Sequence, residues 1–279
     1  MPAREDIFFV VGEMKSGTTW LMHLLNACDG VTCRGEDQFG ILAKGMADLL
    51  NQYNQLTAQE RERYPSAANA CLFSQDDLPV LVKTAVQRTV FRDVPDDQIA
   101  GSKFRSLFEH IDLFRGMFPA GKFIHIVRDP RDIAISYHHF SENFMTEAVR
   151  GQLGSLADSA KGIAQSWTRT LTIVQREKEK NPEGIFELRY EDLKTDTAGK
   201  LSEILSFLGA SLPDRAVADA VEEASFSKLS GGRRAGDEDT KSFYRKGVVG
   251  DWREKMDGAI LEIFENEDTK RLMTEWGYA

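Results

Sequence analysis

Short apolar runs that lead into a turn and then into a segment of helical periodicity occur three times along the chain. Such runs, rich in β-branched and aromatic residues, predict buried strands, and apolar residues spaced at the helical period predict the helices that follow. Because strands that alternate with helices build parallel sheets, the pattern predicts an α/β fold with a central parallel sheet flanked by helices on both faces. The three units are Ile7–Val11 before "TTWLMHLLNAC", Lys122–Val127 before a turn at Pro130 and a helix from about Asp132, and Ile185–Arg189 before "AGKLSEILSFLGA".

Longer helical patterns lie between and after these units, over residues 42–62, 157–180 and 257–275. Residues 229–252 differ, since they combine glycines with dense charge and little periodicity. That composition predicts a long loop, ordered or partly mobile. No internal repeat or low-complexity linker divides the chain, and 279 residues can bury one sizeable core. We therefore interpret residues 1–279 as a single domain.

Composition and charge narrow the class of protein. With 42% hydrophobic and 28% charged residues, the chain has the composition of a soluble globular protein. No apolar run approaches the roughly 20 residues of a membrane span, and the N-terminal residues do not resemble a secretion signal, so we expect a cytoplasmic protein. A formal net charge of −9 argues against nucleic acid as a partner. Three cysteines without C-x-x-C spacing indicate neither a disulfide framework nor a zinc site.

The loop after the first strand, "GEMKSGTT", is similar to a phosphate-binding loop whose lysine is displaced. A nucleoside triphosphatase loop has the form G-x-x-x-x-G-K-[ST], whereas here Thr18 follows Gly17 and Lys15 lies inside the loop. Backbone amides of such a loop and the N-terminus of the next helix can bind a phosphate. Lys15 could neutralise a departing bridging oxygen without a metal, which suits transfer of a group less charged than a phosphoryl. For the loop alone, a chance strand-to-helix turn explains the pattern equally well. The residues that would form the phosphate site are Lys15, Ser16, Gly17, Thr18 and Thr19.

Three motifs taken together resemble the signatures of the cytosolic sulfotransferases: "KSGTTW", "RDPRDIAISY" and "RKGVVGDW". This family transfers a sulfonyl group from 3'-phosphoadenylyl sulfate (PAPS) to a hydroxyl and releases adenosine 3',5'-bisphosphate (PAP). The resemblance, over about residues 7–255, implies a P-loop nucleotide-hydrolase-like fold and PAPS as co-substrate, with no metal required. One departure is Met14, where the family usually has proline.

The second and third motifs supply candidate ligands for the 3'-phosphate. An arginine at the carboxyl end of a strand and a hydroxyl on the following helix can bind a phosphate together, and the resemblance assigns this role to Arg128 and Ser136. It also places Arg245, Lys246 and Gly247 of the long loop over the nucleotide. A surface ion-pair cluster of the arginines and aspartates in "RDPRD" is the alternative for the second motif.

Flat apolar side chains are needed beside an adenine base. By resemblance, Trp20, Tyr190 and Phe226 match the adenine-contacting positions of the family. Ala224 stands where the family usually has a threonine, so one hydrogen bond to the base is expected to be missing.

The catalytic base is the least certain element. The family usually carries K-T-H, whereas this chain has Lys103, Phe104 and Arg105 at the matching place, and an arginine stays protonated. The segment "CRGEDQFG" resembles the E-V-[HQ]-F segment of carbohydrate sulfotransferases, which makes Glu36 the expected base, partly buried near Lys15 and Lys103. An exposed loop acid is the alternative. By resemblance, Lys103 steadies the sulfonyl oxygens. Two histidines are further candidates for the base, His110 and His139.

The sequence therefore predicts a sulfotransferase that acts on a hydroxyl of a small or lipid-like acceptor, with a homodimer possible. Two other classes stay open. A P-loop kinase would use the same opening loop but lacks G-K-[ST] here, and a non-catalytic PAP-binding module would keep the three motifs without a base.

Overall fold

The computed structural model describes residues 4–66, 69–104, 107–151 and 154–279, except for the side chain of residue 149. A five-stranded sheet forms its centre, with the strand order β2-β3-β1-β4-β5 and every neighbouring pair parallel. The predicted α/β fold with a central parallel sheet is therefore confirmed. The strands are β1 (Ile7–Val11), β2 (Val31–Gly35), β3 (Ile99–Lys103), β4 (Lys122–Val127) and β5 (Ile185–Arg189).

Helices connect the strands and follow the sheet. They are α1 (Thr18–Asn26), α2 (Phe39–Arg63), α3 (Asp77–Val90), α4 (Ile111–Met117), α5 (Pro130–Phe144), α6 (Glu147–Arg150), α7 (Leu156–Lys180), α8 (Tyr190–Thr195), α9 (Thr197–Leu208), α10 (Asp214–Glu223), α11 (Phe226–Leu229), α12 (Trp252–Lys255), α13 (Gly258–Leu261) and α14 (Glu267–Glu275). Short 3₁₀ helices cover Leu107–His110, Pro182–Gly184 and Glu262–Glu265. Within the described ranges, none of these helices is long and apolar enough to cross a membrane.

The central strand β1 is apolar at every position, so the sheet is buried on both faces. Side chains alternate along a strand; Phe8 and Val10 therefore face one side, and Ile7, Phe9 and Val11 face the other. Helices α1, α9 and α10 cover the first side, and α3, α4 and α7 contribute to the core on the second. This packing places helices on both faces, as the alternating pattern predicts.

Two strands and one helix differ from the sequence predictions. Strands β2 ("VTCRG") and β3 ("IAGSK") were not predicted, because neither has a run of large apolar residues like that of β1. The predicted helix over residues 257–275 is wrong as a continuous element, since it consists of α13, a 3₁₀ turn and α14. Asn266 has an extended backbone there, and its side chain accepts a hydrogen bond from the Thr269 amide, which starts α14 anew.

The parallel strands end at one edge of the sheet, and their connecting loops meet there. The loop of residues 12–17 follows β1, Arg128 follows β4, and α8 begins directly after β5. The predicted long loop is also confirmed, because residues 230–251 form neither a helix nor a strand between α11 and α12. Ligands of open α/β sheets bind at this edge.

Candidate active site

A cavity of about 580 Å³ opens at the carboxyl edge of the sheet. Its volume lies in the range of small-molecule sites. The cavity brings together nearly all the residues predicted for the nucleotide and the reaction: Lys15, Gly17, Thr18, Thr19, Trp20, Glu36, Lys103, Arg128, Ser136, Tyr190, Phe226, Arg245, Lys246 and Gly247. Among the described residues, three predicted ones are not part of its lining: Ser16, His110 and His139.

Ser16 and His110 are turned away from the cavity by local packing. Ser16 is 0% exposed beneath the loop, and its amide donates a hydrogen bond of 3.0 Å to the carbonyl oxygen of Glu13. The ring of His110 packs against Gly40 at the start of α2, where a Cβ atom would lie 2.6 Å from its Nε2. The geometry therefore does not support the predicted roles of Ser16 in the phosphate site and of His110 as a base.

The loop after β1 needs glycine at position 17. Gly17 has a φ of +106° and ends the loop immediately before α1, and a Cβ atom there would lie 2.6 Å from the ring of Tyr190. Both the left-handed backbone and the close ring exclude a side chain. Because Thr18 and Thr19 at the start of α1 line the cavity, the positive end of the helix dipole faces it.

Lys15 lies between two aromatic rings. Its Nζ is 4.4 Å from the ring centroid of Phe140 and 4.1 Å from that of Phe243, which are cation–π distances. Burial, followed by the charges of Arg128 and Lys103, lowers the pKa of Lys15 to about 8. Neither ring belongs to the site predicted from the sequence, although Phe140 follows Ser136 by four residues and so shares its helix face.

The lowered pKa makes Lys15 an unusually reactive amine. At pH 7 it should hold roughly a few hundredfold more neutral amine than an ordinary lysine, so we predict that limiting acetic anhydride modifies Lys15 before Lys44. Lys44 is a suitable control, since a hydrogen bond to Asp48 and the charge of that carboxylate raise its pKa. Peptide mass spectrometry measures both rates, and equal labelling would contradict the prediction.

Lys103 and Glu36 form an ion pair at the cavity. The Lys103 side chain is buried at 5% exposure, and its Nζ donates to Glu36 Oε1 and, over 3.2 Å, to Thr19 Oγ1. The Glu36 amide donates a 2.9 Å hydrogen bond to the Lys103 carbonyl oxygen. The predicted proximity of these residues is confirmed, but the predicted partial burial of Glu36 is wrong, because its side chain is 65% exposed. Its role as a base stays a prediction, and Arg105 lies outside the described residues.

Arg128 joins the two loops that enclose the cavity. Its Nη1 donates to the Lys15 carbonyl oxygen over 3.1 Å, and its Nη2 to that of Val248 over 3.3 Å. The guanidinium lies 4.5 Å from the ring centroid of Tyr190. Its buried Nε has no hydrogen-bond partner in the described part of the chain. A buried guanidinium with an unpaired donor at a cavity fits an anionic ligand. The residues of the alternative ion-pair cluster do pair, Arg131 with Asp129 at 2.8 Å and Arg128 with Asp132 at 3.8 Å, but both aspartates are buried and do not lie on the surface.

Arg245 and Lys246 are held by acids of their own loop. Both bind Asp251, whose side chain is 2% exposed, and Lys246 Nζ lies 2.6 Å from its Oδ1. Arg245 also pairs with Glu238. The loop therefore supplies its own counter-charges, which the sequence analysis did not anticipate.

The residues predicted to contact adenine line the same cavity. Trp20 Nε1 donates a 3.0 Å hydrogen bond to the Ala224 carbonyl oxygen, and its ring lies 5.7 Å from that of Tyr190, edge to face. The Phe226 ring packs directly against Gly247, whose φ of +64° also requires glycine. These aromatic residues form one apolar end of the cavity.

His139 lies near this site without lining the cavity. Burial, then the positive charge of Arg245, lowers its pKa, and Lys15 acts in the same direction. Its buried Nε2 has no partner among the described residues, while Asn143 Nδ2 lies 3.3 Å from its Nδ1. Burial and the nearby cations therefore disfavour the protonated form of His139, against the opposing charges of Glu238 and Glu142.

Comparisons with known proteins agree on one family. A family model described as a sulfotransferase domain matches residues 5–277. Sulfotransferase 1A1 of Bos taurus is 28% identical over 163 residues, which cover 54% of this chain and 55% of the relative. Cytosolic sulfotransferase 15 of Arabidopsis thaliana is 28% identical over 254 residues, which cover 85% of this chain and 64% of the relative. The chain thus spans about half to two thirds of these relatives.

Solved structures share the fold. Mouse sulfotransferase SULT7A1, complexed with PAP, superposes with a TM-score of 0.61 at 21% identity, over 99% of this chain and 90% of that one. The sulfotransferase domain of the Synechococcus PCC 7002 olefin synthase gives 0.60 at 16% identity, over 98% and 94% of the two chains. Both likenesses extend over nearly all of this chain.

Proposed function

Since the chain belongs to the sulfotransferase domain family, we propose that it transfers a sulfonyl group from PAPS to an acceptor hydroxyl and releases PAP. The observation that carries this proposal is the single cavity in which Lys15, Lys103 and Arg128 meet beside a helix N-terminus and an aromatic end. The relative crystallised with PAP has the same fold.

Three groups of cavity residues bind three parts of the nucleotide. Arg128 and Ser136, with Arg245 and Lys246, hold the 3'-phosphate, and the aromatic end formed by Trp20, Tyr190 and Phe226 holds the adenine. Thr18 and Thr19 at the N-terminus of α1 face the 5'-phosphate. The unpaired Nε of Arg128 and the size of the cavity fit such a ligand.

The two lysines act on the reacting group. The acceptor oxygen attacks sulfur in line with the departing 5'-phosphate oxygen. Lys103, fixed by Thr19 and Glu36, stabilises the sulfonyl oxygens. Lys15 leaves the two phenyl rings and neutralises the departing oxygen as its charge develops. The mechanism uses interactions that are strongest in the transition state.

The proposal includes a single domain over residues 1–279, a cytoplasmic location and a small or lipid-like acceptor, and it allows a homodimer. Apolar side chains at the end of the cavity that holds the two lysines, Phe104, Phe108 and Phe140, support an acceptor with an apolar body.

An assay with PAPS that follows the release of PAP with a panel of phenols and alcohols tests the proposed sulfonyl transfer. PAP binding without transfer to any acceptor would favour the non-catalytic binding module.

Glu36→Gln tests the ion pair with Lys103. Because Glu36 is 65% exposed and water screens its charge, the pair should contribute about 1 kcal/mol or less, so we predict that turnover falls less than about tenfold. PAP affinity should stay nearly unchanged, since Glu36 has no hydrogen bond to a proposed phosphate ligand among the described contacts. Steady-state kinetics and calorimetry measure both. A loss of roughly 10²–10⁴-fold, the usual range for a positioned base, would instead give Glu36 the role predicted from the sequence.

A further inference from the structure

The hydroxyl of Tyr278, a buried residue that follows α14, lies between two segments of the nucleotide site. It donates a 2.7 Å hydrogen bond to Glu191 Oε2 and a longer one, of 3.3 Å, to the carbonyl oxygen of Val127. Val127 ends β4, and Glu191 lies one residue after the start of α8. Burial, followed by the negative charge of Glu191, raises the pKa of Tyr278, so the hydroxyl keeps its proton and acts as a donor. One hydroxyl therefore connects the carboxyl ends of the neighbouring strands β4 and β5.

The peptide bond that joins Arg128 to Asp129 is held at both of its polar groups. Its carbonyl oxygen accepts a 3.0 Å hydrogen bond from the indole nitrogen of Trp167. Its amide, which belongs to Asp129, donates a 3.2 Å hydrogen bond to Glu191 Oε1. The ring of Tyr278 lies edge to face with that of Trp167, with 6.4 Å between the ring centroids. Tyr278 therefore contacts both side chains that hold this peptide, and its hydroxyl also binds the peptide before it.

Arg128 needs a fixed backbone because its guanidinium is the proposed ligand of the 3'-phosphate. The guanidinium fork meets a phosphate in a planar geometry, so a small change in its direction costs more than it would for a point charge. Glu191 directly follows Tyr190, whose ring centroid lies 4.5 Å from the same guanidinium. Tyr278 is not among the described residues that line the cavity. Its effect on a nucleotide must therefore pass through Arg128 and Tyr190.

We propose that Tyr278 is a positioning residue for the 3'-phosphate, because its hydroxyl fixes the direction in which the Arg128 side chain enters the cavity. The inference rests on the proposed function, since PAP is the ligand concerned. Without the hydroxyl, Glu191 Oε2 keeps only a distant cation among the described contacts, Arg189 Nε at 3.9 Å. The Glu191 side chain is then free to turn, and the Asp129 amide loses its fixed acceptor. The Arg128 backbone is loosened as a result.

Tyr278→Phe removes the hydroxyl and keeps the ring. We expect PAP affinity to fall roughly tenfold, the effect of one net hydrogen bond, and affinity for 5'-AMP, which has no 3'-phosphate, to fall less than about threefold. Calorimetry with both nucleotides measures this difference. The KM for PAPS should rise by the same factor as the PAP dissociation constant, while kcat stays nearly unchanged, because Arg128 holds the phosphate in the ground state and the transition state alike. Equal losses for both nucleotides, or a loss confined to kcat, would overturn the proposal.

Thr269→Val is the matched control for a loss of folding stability. Thr269 is 1% exposed on α14, and its hydroxyl lies 2.8 Å from that of Thr168 on α7. Among the described contacts, this hydroxyl has no hydrogen bond to Glu191 or Val127. Both variants should unfold at a lower temperature than the wild type, whereas only Tyr278→Phe should bind PAP more weakly. A selective loss of PAP affinity in Thr269→Val would show that loosening α14 is sufficient, against a specific role of the Tyr278 hydroxyl.

A double-mutant cycle tests whether Tyr278 acts through Arg128. In an Arg128→Lys background, Tyr278→Phe should lower PAP affinity by less than about threefold, because the guanidinium that the hydroxyl positions is gone. A further loss of roughly tenfold in that background would show that the two residues act independently, and the proposal would fail.

Two patterns separate this inference from the proposed function. A wild type that discriminates between PAP and 5'-AMP, with a Tyr278→Phe variant that discriminates equally well, refutes the inference alone. A wild type that binds both nucleotides equally refutes the assignment of the 3'-phosphate ligands, and the inference with it. If Tyr278→Phe does not fold, Glu191→Met, which keeps the length of the side chain and removes both carboxylate oxygens, should show the same selective loss of PAP affinity. Unchanged discrimination in that variant would contradict the proposal.

Discussion

Lys15→Met is expected to lower turnover by roughly 10²–10³-fold, the effect of removing one group that stabilises charge in a transition state. PAP binding should weaken much less, because Lys15 meets the leaving oxygen only as its negative charge develops. Its ammonium lies over the rings of Phe140 and Phe243, which gives it cation–π partners within the fold. Single-turnover kinetics and PAP calorimetry separate the two effects.

The matched control is Lys44→Met, which removes an exposed lysine on α2 and should change neither quantity. Equal losses of turnover and of PAP affinity in Lys15→Met would show that Lys15 only binds a phosphate.

The pH dependence of kcat/KM for PAPS should have one direction. Because the pKa of Lys15 is lowered to about 8, the free enzyme loses the ammonium as pH rises through that value, so kcat/KM for PAPS should fall on the alkaline side. Lys15→Met should lack this limb.

PAP should bind about a thousandfold more tightly than 5'-AMP. The proposed ligands of the 3'-phosphate, Arg128, Ser136, Arg245 and Lys246, line the same cavity. Hydrogen bonds to charged groups contribute about 1.5–3 kcal/mol each, and two or three of them give about 4 kcal/mol, or three powers of ten. The estimate stays below the sum for four ligands because Asp251 already binds two of the cations. Calorimetry with both nucleotides measures the difference.

Arg128→Lys should remove most of this discrimination, since an ammonium cannot reproduce the planar guanidinium fork. The variant should bind PAP more weakly and 5'-AMP nearly as the wild type does. Equal affinity of the wild type for both nucleotides, or a preference for ATP with magnesium, would refute the nucleotide assignment and favour the kinase.

Local patterns in the sequence were sufficient for the sheet's main strands and for most of the site. Apolar runs marked β1 and most of β4, because a strand buried on both faces must be apolar at nearly every position, whereas β5 was marked by its apolar start and by the helical pattern that follows it. The three motifs led to the residues that the cavity brings together, because short motifs directly follow the strands whose ends meet at one edge. Strands β2 and β3 carry no such run and were found only in the structure.

Contacts between distant segments were decided by the tertiary structure. Lys15 meets Phe140 of α5 and Phe243 of the long loop, and no periodicity links these three positions. The exposure of Glu36 depends on how the loop after β2 packs, since the burial of a carboxylate is set by neighbours far along the chain. The sequence alone determined the family, the fold class and the nucleotide motifs, because these follow from residue type and local spacing. Only the fold, through pairings of distant charges and rings, placed Lys15 between two phenyl rings and paired Lys103 with Glu36.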